Sequence, residues 1–252
     1  MKLYTKHPDA SMSMHASSEL SQLLQDVVVE EKIKCVVETG TYQGLGSTTF
    51  IAESFPKSSP PEIFVTIETN WQSWREAKKN LLHFPFVKCL WGQSVRQKQA
   101  LDFISNDEAL INHRDYEDIF IDVVTNPVGF YTQECRGAIR KISIKNYPHY
   151  FFNKILNYDG EGLLEKWLQL FKNRNPLIVL DSAGGIGMLE FMIMKETMGD
   201  QPYIVLLDDI HHVKHFRSVQ QIKLDPGFQL LGVNETSGWA LAKHAGGARG
   251  KQ

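Results

Sequence analysis

Four short apolar runs in this chain stop at a carboxylate. Ile33-Lys34-Cys35-Val36-Val37 stops at Glu38-Thr39-Gly40, Ile63 to Ile67 ends in Glu68, Leu177-Ile178-Val179-Leu180 ends in Asp181, and Tyr203 to Leu207 ends in Asp208-Asp209. Runs of this length, rich in branched residues and bounded by turn signals, read as buried strands. Phe86 to Trp91, closed by Gly92, is a further one. Helical patterns separate them: 17–31, with Leu20, Leu23, Leu24, Val27 and Val28 on one stripe, then 41–54, 74–82 and 188–197. Strands alternating with helices imply right-handed crossovers and a mostly parallel sheet. Phe228 to Val233 and Trp239 to Lys243, bridged by Asn234 to Gly238, read as a hairpin that adds an antiparallel edge strand. The expected fold is α/β: a doubly wound, mostly parallel seven-stranded sheet with an antiparallel C-terminal hairpin. In such a sheet the strand ends share one edge, where ligands bind.

The 252 residues, 42% of them hydrophobic, suffice for one large domain. Lys plus Arg is 27 and Asp plus Glu 29, a net charge of −2, which argues against a dedicated nucleic-acid binder. Cys35, Cys89 and Cys135 show no CxxC spacing, which excludes a disulfide scaffold and points to a reducing, cytoplasmic setting. No apolar run reaches the roughly 18 residues of a membrane span, and Met1 to Ser18 lacks the apolar core of a secretory signal. A soluble cytoplasmic protein that binds neither membrane nor nucleic acid is expected.

From Asp102 to Asn175 the alternation breaks. Ile119 to Val124 could pass for another core strand, but Asp181 to Asp208 is a 27-residue step whereas Asp122 to Asp181 is 59. Residues 102–175 therefore read as a helical insertion between the third and fourth core strands of a single domain, with a helix at Leu163 to Phe171. Its aromatics, among them Tyr131, Tyr147, Tyr150 and Trp167, leave three uses open: a substrate lid, a helical layer on the sheet, or contact with a second copy in a homo-oligomer. The tail, 244–252, is expected to fray.

The most informative segment is Glu38-Thr39-Gly40-Thr41-Tyr42-Gln43-Gly44-Leu45-Gly46-Ser47-Thr48. A strand opening into a glycine turn and a helix aims backbone N–H groups at one point. A P-loop reading fails, because no lysine precedes Ser47. A dinucleotide fingerprint is incomplete: Gly44 and Gly46 are followed by Thr49 where glycine is required. Glu68 lies 22 residues past Gly46, the distance at which an acid holds a ribose diol.

The segment resembles motif I of the class I S-adenosylmethionine (SAM)-dependent methyltransferases, and its Glu-Thr-Gly-Thr-x-x-Gly…Ser-Thr form is similar to their small-molecule O-methyltransferase branch. The resemblance implies a SAM site built from Glu38, Gly40, Thr41, Gly44, Ser47 and Thr48. It also gives Glu68 the ribose and places Gln93 and Ser94 near the adenine. SAM carries an ammonium and a sulfonium, which favour an acid such as Glu38 nearby.

Asp181, Asp208 and Asp209 are expected to converge at neighbouring strand ends and to repel one another unless something positive lies between them. An oxygen-preferring cation such as Mg²⁺ answers that need. The Asp…Asp-Asp-x-x-His arrangement resembles the metal-dependent O-methyltransferases of the macrocin O-methyltransferase and cephalosporin hydroxylase-like group. In that likeness Asp181, Asp208 and Asp209 ligate the metal, which binds adjacent substrate hydroxyls, and Asp181 and His212 are catalytic, His212 as general base. His211 and His215, at i, i+4, would share a helical face; the alternative to a metal role for Asp209 is to be that helix's N-cap, and acid-rich surroundings favour a hard cation there over zinc. The glycines of Asp181-Ser-Ala-Gly184-Gly185-Ile-Gly187 serve either close ligand approach or tight packing. The expected function is O-methylation of a small hydroxylated molecule. The alternatives are an NAD(P)-linked oxidoreductase and a noncatalytic or hydroxylase-like relative with the same fold.

Overall fold

A computed structural model describes residues 18–116, 119–136 and 146–247. Its parallel core comprises β1 (Cys35–Thr39), β2 (Ile63–Glu68), β3 (Val87–Gly92), β5 (Leu177–Leu180) and β6 (Tyr203–Leu207), to which β4 (Tyr158–Gly160) adds a short strand. The hairpin strands are β7 (Phe228–Asn234) and β8 (Trp239–His244), and the sheet order is β4-β3-β2-β1-β5-β6-β8-β7. All seven expected strands are present. It is the later hairpin strand, β8, that pairs antiparallel with β6, leaving β7 at the edge.

Both faces of the sheet are covered, so successive residues of one strand are buried in opposite directions. Val36 packs with Leu20, Leu24, Phe50 and Ile51 of α1 (Ser18–Glu30) and α2 (Ser47–Glu53). Its neighbours Cys35 and Val37 pack with Leu164 and Leu168 of α8 (Leu163–Phe171) and Phe191 and Met194 of α9 (Gly187–Met198). Each such fully buried side chain contributes about 2 kcal/mol. The remaining helices are α3 (Trp71–Asn80), α4 (Gln97–Asn106), α5 (Glu108–Ile111), α6 (Pro127–Arg136), α7 (Tyr147–Asn157) and α10 (Phe216–Leu224). No helix among the described residues is long and apolar enough to cross a membrane.

Several expectations change. The stretch 102–175 begins inside α4 rather than at a boundary, and it contributes β4, so it is not wholly helical. Ile119 to Val124 enters no strand: Phe120 makes one isolated parallel bridge to His212. The helix expected from Thr41 starts only at Ser47, because Gly40, Tyr42 and Gly44 have φ of +90°, +50° and +75°, which no right-handed helix accommodates. Asp209 is not an N-cap. It has φ +53°, and α10 begins at Phe216, with 210–215 forming a turn instead. His211 and His215 therefore share no helical face. Of the tail expected to fray, His244 closes β8 and Gly247 N–H donates to Asp200 O at 2.9 Å; 248–252 lie outside the described residues.

Candidate active site

The carboxyl ends of β1, β2, β3, β5 and β6 open onto one cavity of about 690 Å³, within the range of ligand pockets. Gly40, Tyr42, Glu68, Gln93 and Ser94 line one part of it; Asp122, Tyr131, Asp181, Asp209, His212 and Lys214 line another. Ile67, Val95, Ala100 and Ile104 supply apolar wall.

Gly40 joins the two parts. A Cβ there would lie 2.1 Å from the carbonyl oxygen of Asp181, so the chain leaves β1 pressed against the exit of β5. Beneath the turn Glu38 is wholly buried: Oε1 accepts the Ser47 hydroxyl at 2.7 Å, and Oε2 accepts those of Thr48 and Thr66 at 2.6 Å. Burial pushes its pKa up, against the three hydroxyls that lower it. Glu38 thus braces the turn and does not line the cavity, although it was expected near a cationic cofactor. Thr41, Gly44, Ser47 and Thr48 also stay off the cavity. Ser47 and Thr48 are spent on Glu38, Thr41 bonds Thr66, and Gly44 sits under Leu81, whose Cδ1 a Cβ would meet at 2.9 Å. Sequence spacing located the turn but could not tell its inner side from its outer one.

Glu68 does face the cavity. Its Oε2 accepts the Tyr42 N–H at 2.7 Å and its Oε1 the Asn70 N–H at 2.6 Å, and Asn70 also caps α3 by accepting from Gln72 and Ser73. Burial pushes Glu68 up to about 7, despite these backbone donors. Gln93 and Ser94 follow β3 as expected and are fixed by backbone bonds from Leu163 and Leu164 to their carbonyls.

At the other end Asp181, Asp208 and Asp209 each offer an oxygen within 4.8 Å of the others, the only such group among the described residues. Sequence reasoning missed what lies between them. Lys214 Nζ donates to Asp181 Oδ1 at 3.2 Å and to Asp209 Oδ2 at 2.8 Å, with its side chain 4% exposed. Burial opposes the ammonium, but Asp181, Asp209 and Asp208 outweigh it and raise its pKa. Burial and the adjacent Asp181 push Asp208 up to about 8, and burial raises Asp181 as well, so the pair favours sharing a proton. The positive charge that the acids require is therefore supplied by the chain. Mg²⁺ demands near-ideal octahedral oxygen coordination at about 2.0–2.1 Å, and an ammonium already bonds one oxygen each of Asp181 and Asp209. Lys214 therefore competes with a divalent ion for these carboxylates. Lysine was legible in principle: Lys214 is the first cationic side chain after Asp208-Asp209.

A second missed group is Asp122. Its Oδ2 accepts the Tyr131 hydroxyl at 2.9 Å and lies 3.3 Å from His212 Nε2. The Lys214 backbone N–H donates to His212 Nδ1 at 3.1 Å, so the neutral ring carries its proton on Nε2, toward Asp122. The His212 hydrogen bond lowers the Asp122 pKa, whereas burial and the Asp122 charge raise that of Tyr131 and keep it a phenol. The three histidines diverge: His211 Nε2 meets the Glu235 carbonyl at 2.7 Å, and His215 Nδ1 lies 3.2 Å from Ser218 Oγ. That dispersal leaves no zinc cluster. The Gly184–Gly187 turn is tightly packed, and its Gly184 and Gly185 also line the cavity. A Cβ on Gly184 or Gly185 would strike the Tyr131 side chain at 2.6 or 2.8 Å, and one on Gly187 the Lys214 Cγ at 2.2 Å. These glycines seat the two site residues.

No family model matches the chain, and no curated protein matches it. Solved structures with a similar fold include a methyltransferase from Geobacter sulfurreducens (TM-score 0.47, 11% identity, covering 91% of this chain and 80% of that one). The O-methyltransferase from Bacillus cereus in complex with SAH is similar at TM-score 0.46 and 13% identity, over 92% of this chain and 84% of that one. The O-methyltransferase TomG from Streptomyces achromogenes, solved with SAM, is similar at 0.45 and 13%, over 94% and 81%.

Proposed function

We propose that this chain is a SAM-dependent methyltransferase that methylates a hydroxyl of a small molecule. One observation carries the reading: a single cavity has a buried carboxylate for a ribose, Glu68, in one wall and an ionic acceptor site, Asp122–His212–Lys214, in another. The Glu68 carboxylate suits a ribose, since it lines the cavity as an acceptor held in place by backbone N–H groups of Tyr42, Asn70 and Thr69. A dinucleotide fits less well. Its diphosphate belongs on the N-terminus of the helix after the glycine turn, and Gly46 and Ser47 there are not part of the cavity wall.

When bound, SAM would supply a methyl carbon for an acceptor oxygen to attack in line, the thioether leaving with the C–S electron pair as C–O forms. The chain's own part is to position the acceptor, exclude water and receive the hydroxyl proton. The geometry favours Asp122 over the expected His212 as proton acceptor. His212 Nδ1 is tied to a backbone N–H and its Nε2 already bears hydrogen, so both His212 and Tyr131 orient the Asp122 carboxylate. Asp181 acts by holding Lys214 rather than by touching protons.

Thermal unfolding with S-adenosylhomocysteine, NAD and NADP tests the cofactor. At about 100 times its Kd, the thioether should add about 2.7 kcal/mol of stability. Stabilisation by NAD or NADP alone would reject the methyltransferase reading in favour of an oxidoreductase.

A further inference from the structure

We propose that the Lys214 ammonium is the resident cation of the acceptor site, standing where a divalent metal would otherwise be required, so that the site takes one hydroxyl oxygen and does not chelate a vicinal pair. The proposal deepens the methyltransferase reading and rests on it for the identity of the reaction, but not for the absence of metal binding.

Three observations support it. Lys214 Nζ lies between the very carboxylates that would ligate an ion, 3.2 Å from Asp181 Oδ1 and 2.8 Å from Asp209 Oδ2. Its stem occupies a hollow made for it, because any side chain at Gly187 would overlap its Cγ. Asp209 holds the left-handed φ of +53°, and its Oδ2 accepts from Nζ at 2.8 Å. An ammonium has three donors. Two go to Asp181 and Asp209, and the third serves an acceptor oxygen, since Lys214 also lines the cavity. A metal ion could grip two adjacent hydroxyls at once, whereas a single N–H holds one. Lys214 thereby favours the oxyanion of that one hydroxyl, whose proton passes to Asp122.

Mn²⁺ alone is the probe, titrated into metal-free protein and followed by the loss of the free-ion electron paramagnetic resonance signal. Wild type should leave the signal intact, while Lys214→Met should remove about one equivalent per chain by unmasking the carboxylates. One equivalent bound by wild type and abolished by Asp209→Asn would overturn the proposal, and this comparison needs no Lys214 variant to fold. Lys214→Arg, which keeps the charge, should bind no Mn²⁺; binding there would also count against it. S-adenosylhomocysteine is titrated into the same samples. Its failure to bind would reject the methyltransferase reading and leave the Mn²⁺ result standing.

Discussion

The two ends of the cavity neutralise their acids by opposite means. At the cofactor end, Glu38 and Glu68 are satisfied by hydroxyls and backbone N–H groups from the same turn or the adjoining strand, between 2 and 28 residues away. At the acceptor end an ammonium and an imidazole N–H meet carboxylates across longer gaps: Lys214 reaches Asp181 over 33 residues and His212 reaches Asp122 over 90. Neutral donors fix a shape without adding net charge, which suits a surface that must only recognise. Ion pairs leave groups that can hold an oxyanion and accept a proton, which suits a surface that must react. The difference also separates what each end depends on: the first needs β1, β2 and the turn between them, the second needs 119–136 docked against 208–214.

Gly40 is where the two ends touch, so its substitution should damage both. Gly40→Ala places a Cβ 2.1 Å from the Asp181 carbonyl at φ +90°. Strain and overlap together should cost about 4 kcal/mol or more, read as a fall in the denaturant midpoint. A loss below about 1 kcal/mol would mean that the exits of β1 and β5 are not rigidly coupled. The next largest effect isolates the acceptor end. Asp122→Asn should lower kcat about a thousandfold, within the span of lost acid–base catalysis, with S-adenosylhomocysteine affinity unchanged. His212→Gln, which removes an orienting donor, should cost about tenfold by the same standard. The reverse order would return the base to His212.

The same contrast explains what could be read from sequence. Strand ends were legible because Leu177–Leu180 and Tyr203–Leu207 are continuous apolar runs closed by acids, and burial on both faces leaves no other reading. Glu68 was legible because its distance from the glycine turn is fixed by one βαβ step. The direction of Glu38 was not legible, because a strand-end acid can point up to the cavity or down into the turn, and the choice is made by three hydroxyls that no spacing rule ranks. Lys214 and Asp122 were harder to read for another reason. Each joins a partner more than thirty residues away besides a nearer one, and Asp122 reaches His212 through a single isolated bridge at Phe120, not through a strand that periodicity could detect.

Glu68 offers the finest test, because at the cofactor end one group records both stability and recognition. Its pKa rises from 4.5 in the unfolded chain to about 7 in the fold, chiefly through burial. The folded state therefore holds the proton more tightly, so stability is unpenalised below pH 4.5, falls as pH rises from there to 7, and stays reduced above 7. The full loss is about 3 kcal/mol. Chemical denaturation of wild type and Glu68→Gln at pH 5 and pH 8 should show the difference between them shift by about that amount, with wild type losing ground. A cofactor whose ribose hydroxyls donate to this carboxylate must favour its ionised form. S-adenosylhomocysteine should therefore bind wild type more tightly as pH rises toward 7, while Glu68→Gln should bind more weakly, about tenfold, and show no such slope. A pH-independent affinity in wild type would remove Glu68 from the ribose and leave it, like Glu38, a brace for the turn.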